Sequence, residues 1–237
     1  FKRWFLHIPG LVYIEHGHQY DPVNAFPYVL CPLLPSNKTQ IELPYGSFFV
    51  RYFFNGLEKT DPLADNYKPP VKYLAVTLRR DPLHVAEVLL KYAEFIGRTW
   101  AKSLKPKNIR AERSIAKHHA TQLIKLAKKE KIPVSTLHEM DNLRQKILLR
   151  QPLFGWQVIR SHLFLREVPL LLAIARQIKE LLKVKFVVMA HTHKADKQDW
   201  FMDTGTWTQI IDEGKISKKL SYVHIKNGQA KLKTFRS

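Results

Sequence analysis

Residues 186–193 read FVVMAHTH: Phe186, Val187, Val188, Met189 and Ala190 form an unbroken apolar run that stops at His191-Thr192-His193. A run of this length, rich in β-branched residues and ended by polar ones, reads as a buried strand. The same pattern stands near the other end of the chain. Leu11-Val12-Tyr13-Ile14, bounded by Pro9-Gly10, runs through Glu15 into His16-Gly17-His18. Two buried strands ending in histidine pairs predict an α/β arrangement whose site lies where the strands give way to loops. Imidazoles from two such loops can converge on a transition metal. Gly17 and Ala190 are small enough to let backbone and ion approach closely.

Between these strands the period changes. Asp81 is an N-cap residue with Pro82 at the first helical position. Val85, Val88, Leu89, Tyr92, Phe95 and Ile96 then recur at helical spacing. A second helix is expected over residues 109–131, stopping before Pro133. A third opens at the capping-box pattern Thr136-Leu137-His138-Glu139, and a fourth spans 156–182 with a break at Pro169. Residues 47–57, dense in phenylalanine, read equally as helix or strand. After residue 186 come short strands near 200–202, 207–211 and 222–225, the last turning at Asn227-Gly228 into 230–235. The expected organisation is a core of residues 1–31 and 183–237 around a mostly helical insertion, 32–182.

With 39 Lys+Arg against 20 Asp+Glu in 237 residues, the chain carries a net charge of +19. The surplus points to polyanionic partners: phosphate esters, an acidic membrane surface or nucleic acid. Residues 101–150 alone hold 13 Lys+Arg against four acids. No recognisable nucleic-acid motif accompanies the charge. Cys31 is the single cysteine, which fits a reducing compartment and reads as a buried apolar residue. The apolar stretch 163–182 is broken by Arg166, Glu167, Pro169, Arg176, Lys179 and Glu180, too polar for a membrane span. Residues 1–5 contain neither an initiator methionine nor a signal-peptide apolar region. A cytoplasmic protein, peripheral to a membrane at most, is the expectation.

FVVMAHTH resembles the last motif of calcineurin-like metallophosphoesterases, a strand followed by Gly-His-x-His. Asp203-Thr204-Gly205-Thr206-Trp207 resembles the Asn-Thr-Gly-Ser/Thr-Trp segment that often follows it, and residues 12–21, VYIEHGHQYD, resemble the family's strand ending in His-Gly. The segments LPYGSFFVRYFFNGLE and ADNYKPP are similar to a bacterial branch of the same family. The resemblance implies an α+β fold, part of a β-sandwich flanked by helices with a large helical insertion. It implies a dinuclear centre of Mn, Fe or Zn that hydrolyses phosphate esters; a small-molecule or lipid-linked ester is expected as substrate over nucleic acid. His16 and His191 would be ligands of one metal and His193 of the other. His18, Asp21 and Asp203 would stand on the substrate side or behind the ligands, with Asp203 holding the loop. Ala190 departs from the family's glycine, and Asp203 from its asparagine.

The family's earlier motifs, Asp-x-His, Gly-Asp and Gly-Asn-His-Asp/Glu, are not found in these 237 residues. The bridging aspartate and the catalytic histidine are therefore expected to precede residue 1, and this chain alone is expected to hydrolyse little. The alternatives from the residues alone are a non-catalytic basic module for nucleic acid or acidic membrane, and an inactive relative that has lost its ligands.

Overall fold

In the computed structural model the described residues are 4–51, 55, 58, 61, 62, 64, 67, 70–103, 109–150, 167–208, 210–212, 215–217 and 220–235. Both apolar runs are strands, β2 (Val12–Glu15) and β5 (Phe186–Met189), and they pair in parallel with Val12 opposite Phe186 and Ile14 opposite Val188. Val12, Tyr13, Val187 and Met189 have no exposed surface, as strands inside a sheet covered on both faces require. The edge strand β1 (Phe5–Ile8) runs antiparallel to β2. Beyond β5 come β7 (Phe201–Asp203), parallel to it, and β6 (Asp196–Lys197), antiparallel to β7, giving the order β1-β2-β5-β7-β6. The remaining described strands pair as β3 (Leu33–Leu34) with β4 (Asn37–Ile41), β8 (Ile210–Asp212) with β9 (Lys215–Ser217), and β10 (Ser221–Lys226) with β11 (Gln229–Thr234). Asn227 and Gly228, at φ 51° and 70°, make the expected two-residue hairpin turn.

Among the described residues, six α-helices lie between the two halves of the sheet: α1 (Tyr45–Phe49), α2 (Pro70–Arg80), α3 (Pro82–Ser103), α4 (Ile109–Glu130), α5 (Val134–Arg150) and α6 (Glu167–Leu182). The chain is thus a mixture of helices and mixed sheets, of the α+β class. Asp81 caps α3 as its sequence position requires, its Oδ1 accepting from the amides of Leu83 and His84 at 3.1 and 3.0 Å. Helix α4 buries Ile115, His119, Leu123 and Ala127, one residue per turn. It ends at Lys131, which is left-handed (φ 54°), and the Ile132 amide bonds back to the Ala127 carbonyl.

Some expectations need correction or sharpening. α5 begins at Val134, directly after Pro133, so Thr136 lies within its first turn and does not cap it. Helix α2 was not anticipated, because Pro69-Pro70 reads as a breaker; Pro70 instead stands at the start of the helix, where its missing N–H breaks no bond. The start of the phenylalanine-rich segment is helical as α1, whereas Tyr52, Phe53 and Phe54 lie outside the described residues. Of the fourth helix, residues 167–182 are present with Pro169 in the first described turn, and 156–166 lie outside the described residues.

The helices and the sheet share a core. Leu123, Leu137, Met140, Ile174 and Ile178 pack in one buried cluster with Tyr13, Val187, Met189 and Phe201. Within it Arg144 is completely buried. Its guanidinium donates to Asp141 at 2.8 Å and to the backbone carbonyls of Phe26 and Pro27 at 2.6 and 2.9 Å. His119 accepts from the Leu30 amide on Nδ1, so its Nε2–H faces the Asp141 carboxylate at 3.2 Å. Burial pushes Asp141 up, but His119 and Arg144 outweigh it and hold the carboxyl below its ordinary value. Two of the charges counted in the basic segment are thus an internal clamp, fastening α4 and α5 to the loop at residues 26–30. Arg110, Arg113, Lys117, Lys125, Lys128, Lys129, Lys131 and Lys146 are exposed. No helix among the described residues is long and apolar enough to cross a membrane.

Candidate functional site

The parallel pairing of β2 and β5 sets the two histidine pairs side by side. The Ala190 amide donates to the His16 carbonyl at 3.0 Å, carrying the ladder one step past the ends of both strands. His16 and His191 rings stand 5.4 Å apart between centroids, His16 and His18 5.0 Å, and His18 and His191 6.4 Å. Gly17 makes this approach possible. It sits at φ 99°, and a Cβ there would lie 3.2 Å from Leu171 Cδ2, 3.5 Å from the Ala190 carbonyl and 3.7 Å from His191 Cβ.

Asp21 ties the two loops together. Its Oδ2 lies 3.0 Å from His191 Nε2, while the Val23 amide donates to Oδ1 and the Asn24 side chain to Oδ2. Burial raises the Asp21 carboxyl, but the hydrogen bond and charge of His191, with the Val23 and Asn24 donors, bring it below the usual carboxylate value. A carboxylate on one ring nitrogen fixes the imidazole's orientation and makes the other nitrogen its acceptor atom when the ring is neutral. Behind His191, Thr192 donates its hydroxyl to Asp203 Oδ2 at 2.8 Å, and the Gly205 amide donates to Oδ1 at 2.8 Å. Gly205 is left-handed (φ 68°), and a Cβ there would fall 2.8 Å from the Ala195 backbone nitrogen. Asp203 therefore holds the turn that carries His191 and His193. Burial pushes its own carboxyl up to about 6.

Burial, followed by the neighbouring His191 charge, lowers the pKa of His16. Burial with the His16 and His191 charges lowers His18 to about 4, against the pull of Asp21. Both rings are neutral at pH 7. Gln19 fixes the His18 tautomer: its Oε1 accepts from the Phe26 amide, so its Nε2 donates to His18 Nε2 at 2.8 Å and leaves the ring proton on Nδ1.

An ion bound about 2.0–2.1 Å from an imidazole nitrogen lies roughly 3.2 Å from the ring centroid, so two imidazoles on one tetrahedral ion stand about 5 Å apart. The type of donor and the His16–His18 and His16–His191 spacings fit such an ion; the His18–His191 spacing is wider. The donor atoms do not converge. Among the described residues no group of three or more histidine, cysteine or acidic side chains is placed to hold a metal ion. The reason is local: His191 Nε2 is turned onto Asp21 and His18 Nε2 onto Gln19. The rings in mutual contact are thus His16, His191 and His18, the last assigned from sequence to the substrate side. His193 follows in the same turn with left-handed backbone (φ 60°), as does His191 (φ 81°).

Sequence reasoning passed over Glu15. It is buried, accepts the Trp4 indole N–H on Oε2 at 3.0 Å, and has Tyr13, Tyr20 and Arg144 near it. Burial raises its carboxyl to about 7 even though those neighbours pull it down. An acid at the end of an otherwise apolar strand, one residue before a histidine, was the available signal.

No protein-family model, no curated protein and no solved structure matches this chain.

Proposed function

We propose that this chain carries metal-binding histidines of a metal-dependent phosphoester hydrolase. The observation behind this reading is the mutual contact of His16, His18 and His191 across the parallel strands β2 and β5, with Asp21 on His191 Nε2. His16, His18 and Asp21 lie within six residues of one another, and the β2–β5 pairing brings the distant His191 to them; a shared cationic centre would give the four groups one role. His16, His191 and His193 are the residues this reading assigns to divalent Mn, Fe or Zn, although their donors do not converge in this structure and His191 Nε2 is engaged by Asp21. The metal would supply charge neutralisation for a phosphate ester and activation of water. This chain's own residues contribute orientation. Asp21 fixes the plane of His191, Asp203 fixes the turn behind it through Thr192, and Gln19 fixes the tautomer of His18. The excess of basic residues draws anionic esters toward the site.

Calorimetric titration with Mn²⁺, Zn²⁺ and Co²⁺ tests the reading. Binding with micromolar or tighter affinity, weakened at least about 10-fold by His16→Ala and by His191→Ala, is expected. Unchanged binding in both variants, or none in the parent chain, would overturn it. Hydrolysis of bis(4-nitrophenyl) phosphate by the chain alone is expected to stay near background with Mn²⁺ present.

A further inference from the structure

Directly beside the histidine cluster lies a cavity of about 550 Å³, a size suited to a small-molecule ligand. Its walls are apolar, with Trp4, Leu6, Ile14, Phe26 and Val29 among them, and His16 and His18 line it as well. Among the described residues, four polar ones interrupt this lining: Glu15, His16, His18 and Gln19. Glu15 is buried, its carboxyl facing the Tyr13 and Tyr20 hydroxyls and the Trp4 indole. His18 Nδ1, the nitrogen that bears the proton, has no hydrogen-bond partner among the described residues. A buried donor without a partner is costly unless something is placed to meet it. A mostly apolar pocket with a few converging polar atoms is the usual form of a small-molecule site.

We infer that this cavity binds the apolar alcohol part of a phosphate ester whose phosphoryl group lies at the histidine cluster. The inference rests on the phosphoester reading and narrows it to esters of aryl or alkyl alcohols. His18 stands at the boundary, lining the cavity while its ring contacts His16 and His191. Its Nδ1–H is therefore available to the ester oxygen that joins the apolar part to the phosphoryl group. Trp4, held by Glu15, forms an aromatic wall.

The probes are 1-naphthyl phosphate, 1-naphthol and inorganic phosphate, each titrated calorimetrically into the full chain with Mn²⁺ present. The chain is labelled with 5-fluorotryptophan, and Trp4→Phe identifies the Trp4 fluorine signal. Naphthyl phosphate should bind about 10-fold tighter than inorganic phosphate. Both naphthyl compounds should move the Trp4 signal, and inorganic phosphate should not. Leu6→Phe, on the edge strand, fills the cavity and should abolish the naphthyl advantage while leaving phosphate affinity unchanged. Ile14→Phe provides the same test if Leu6→Phe fails to fold. An absent naphthyl advantage, an unmoved Trp4 signal, or an advantage that survives both variants overturns the inference. If His16→Ala weakens phosphate binding while naphthol leaves Trp4 unmoved, the cavity assignment fails and the phosphoester reading stands. If naphthol binds at Trp4 but naphthyl phosphate is insensitive to His16→Ala, the phosphoester reading fails and only an apolar pocket remains.

Discussion

Replacing Asp203 by asparagine should make the protein more stable near neutral pH, and the size of the gain follows from where Asp203 sits. The carboxyl is buried and its folded pKa is about 6, against an ordinary 3.8. A carboxyl with a raised folded pKa binds its proton more tightly in the folded state. Its contribution to stability is complete below about pH 4 and is lost as pH climbs to about 6. Two pKa units correspond to about 3 kcal/mol, a large share of the stability of an ordinary domain. The hydrogen bonds survive the change. Asparagine Oδ1 still accepts from the Gly205 amide, its Nδ2 donates to Thr192 Oγ1, and the Thr192 hydroxyl turns to the Lys194 carbonyl, already 3.1 Å away. Urea unfolding followed by circular dichroism at pH 4, 5, 6 and 7 should show Asp203→Asn gaining about 3 kcal/mol on the parent across that range, other titrations cancelling in the difference. A flat difference, or one favouring the parent as pH rises, would show that Asp203 is ionised without cost and that its burial has been misjudged.

Gly17→Ala should cost about 1–3 kcal/mol from its left-handed backbone and from the Leu171 contact, and should weaken metal binding by shifting the turn that carries His16 and His18; urea midpoints and Co²⁺ titration read the two effects. Arg144→Met should destabilise by about 3–5 kcal/mol because Asp141, buried, is left with the His119 hydrogen bond and the Phe26 and Pro27 carbonyls lose their donor, whereas Asp141→Leu combined with Arg144→Met should cost less than the sum of the single changes in a double-mutant cycle. For Glu15, whose folded pKa of about 7 exceeds the ordinary 4.5, the same sign applies: the parent loses stability between about pH 4.5 and 7, and Glu15→Gln should remove that loss in matched denaturation curves. Thr192→Val should loosen the turn behind His191 and lower metal affinity more than overall stability, as calorimetry and urea unfolding on one preparation would reveal.

The strands and helices that were legible in the sequence are those whose local signals agree. Val12–Ile14 and Phe186–Met189 are apolar on both faces because both faces are covered, and a residue-by-residue reading finds them directly. Helix α4 announces its end through Pro133, and the α3 cap through Asp81-Pro82. What escaped detection depends on contacts made across the chain. Arg144 and Asp141 look like members of a solvated basic face until α5 is laid against residues 26–30. Pro70 looks like a breaker because a proline at the start of a helix and one in a loop have the same local sequence. His18 reads as peripheral because its place beside His191 is created by the turn at Gly17, and Glu15 gives no local signal of its raised pKa because that comes from burial in the core, against the pull of the Trp4 hydrogen bond. Asp203 was assigned to holding the loop, and its bond to Thr192 is how it does so.

The bond from the Ala190 amide to the His16 carbonyl has a consequence in time. The neighbouring contact between Asp21 and His191 joins residues 170 positions apart. On a ribosome the first histidines emerge long before their partners, and the connecting helices must condense first, a slow search for contacts so remote. Because the bond joins segments from opposite ends of the chain, no opening confined to one of them leaves it closed. Deuterium uptake at the Ala190 amide should therefore follow the least protected of the two loops, and a bound ion that clasps both should slow it more than any other backbone proton in the molecule.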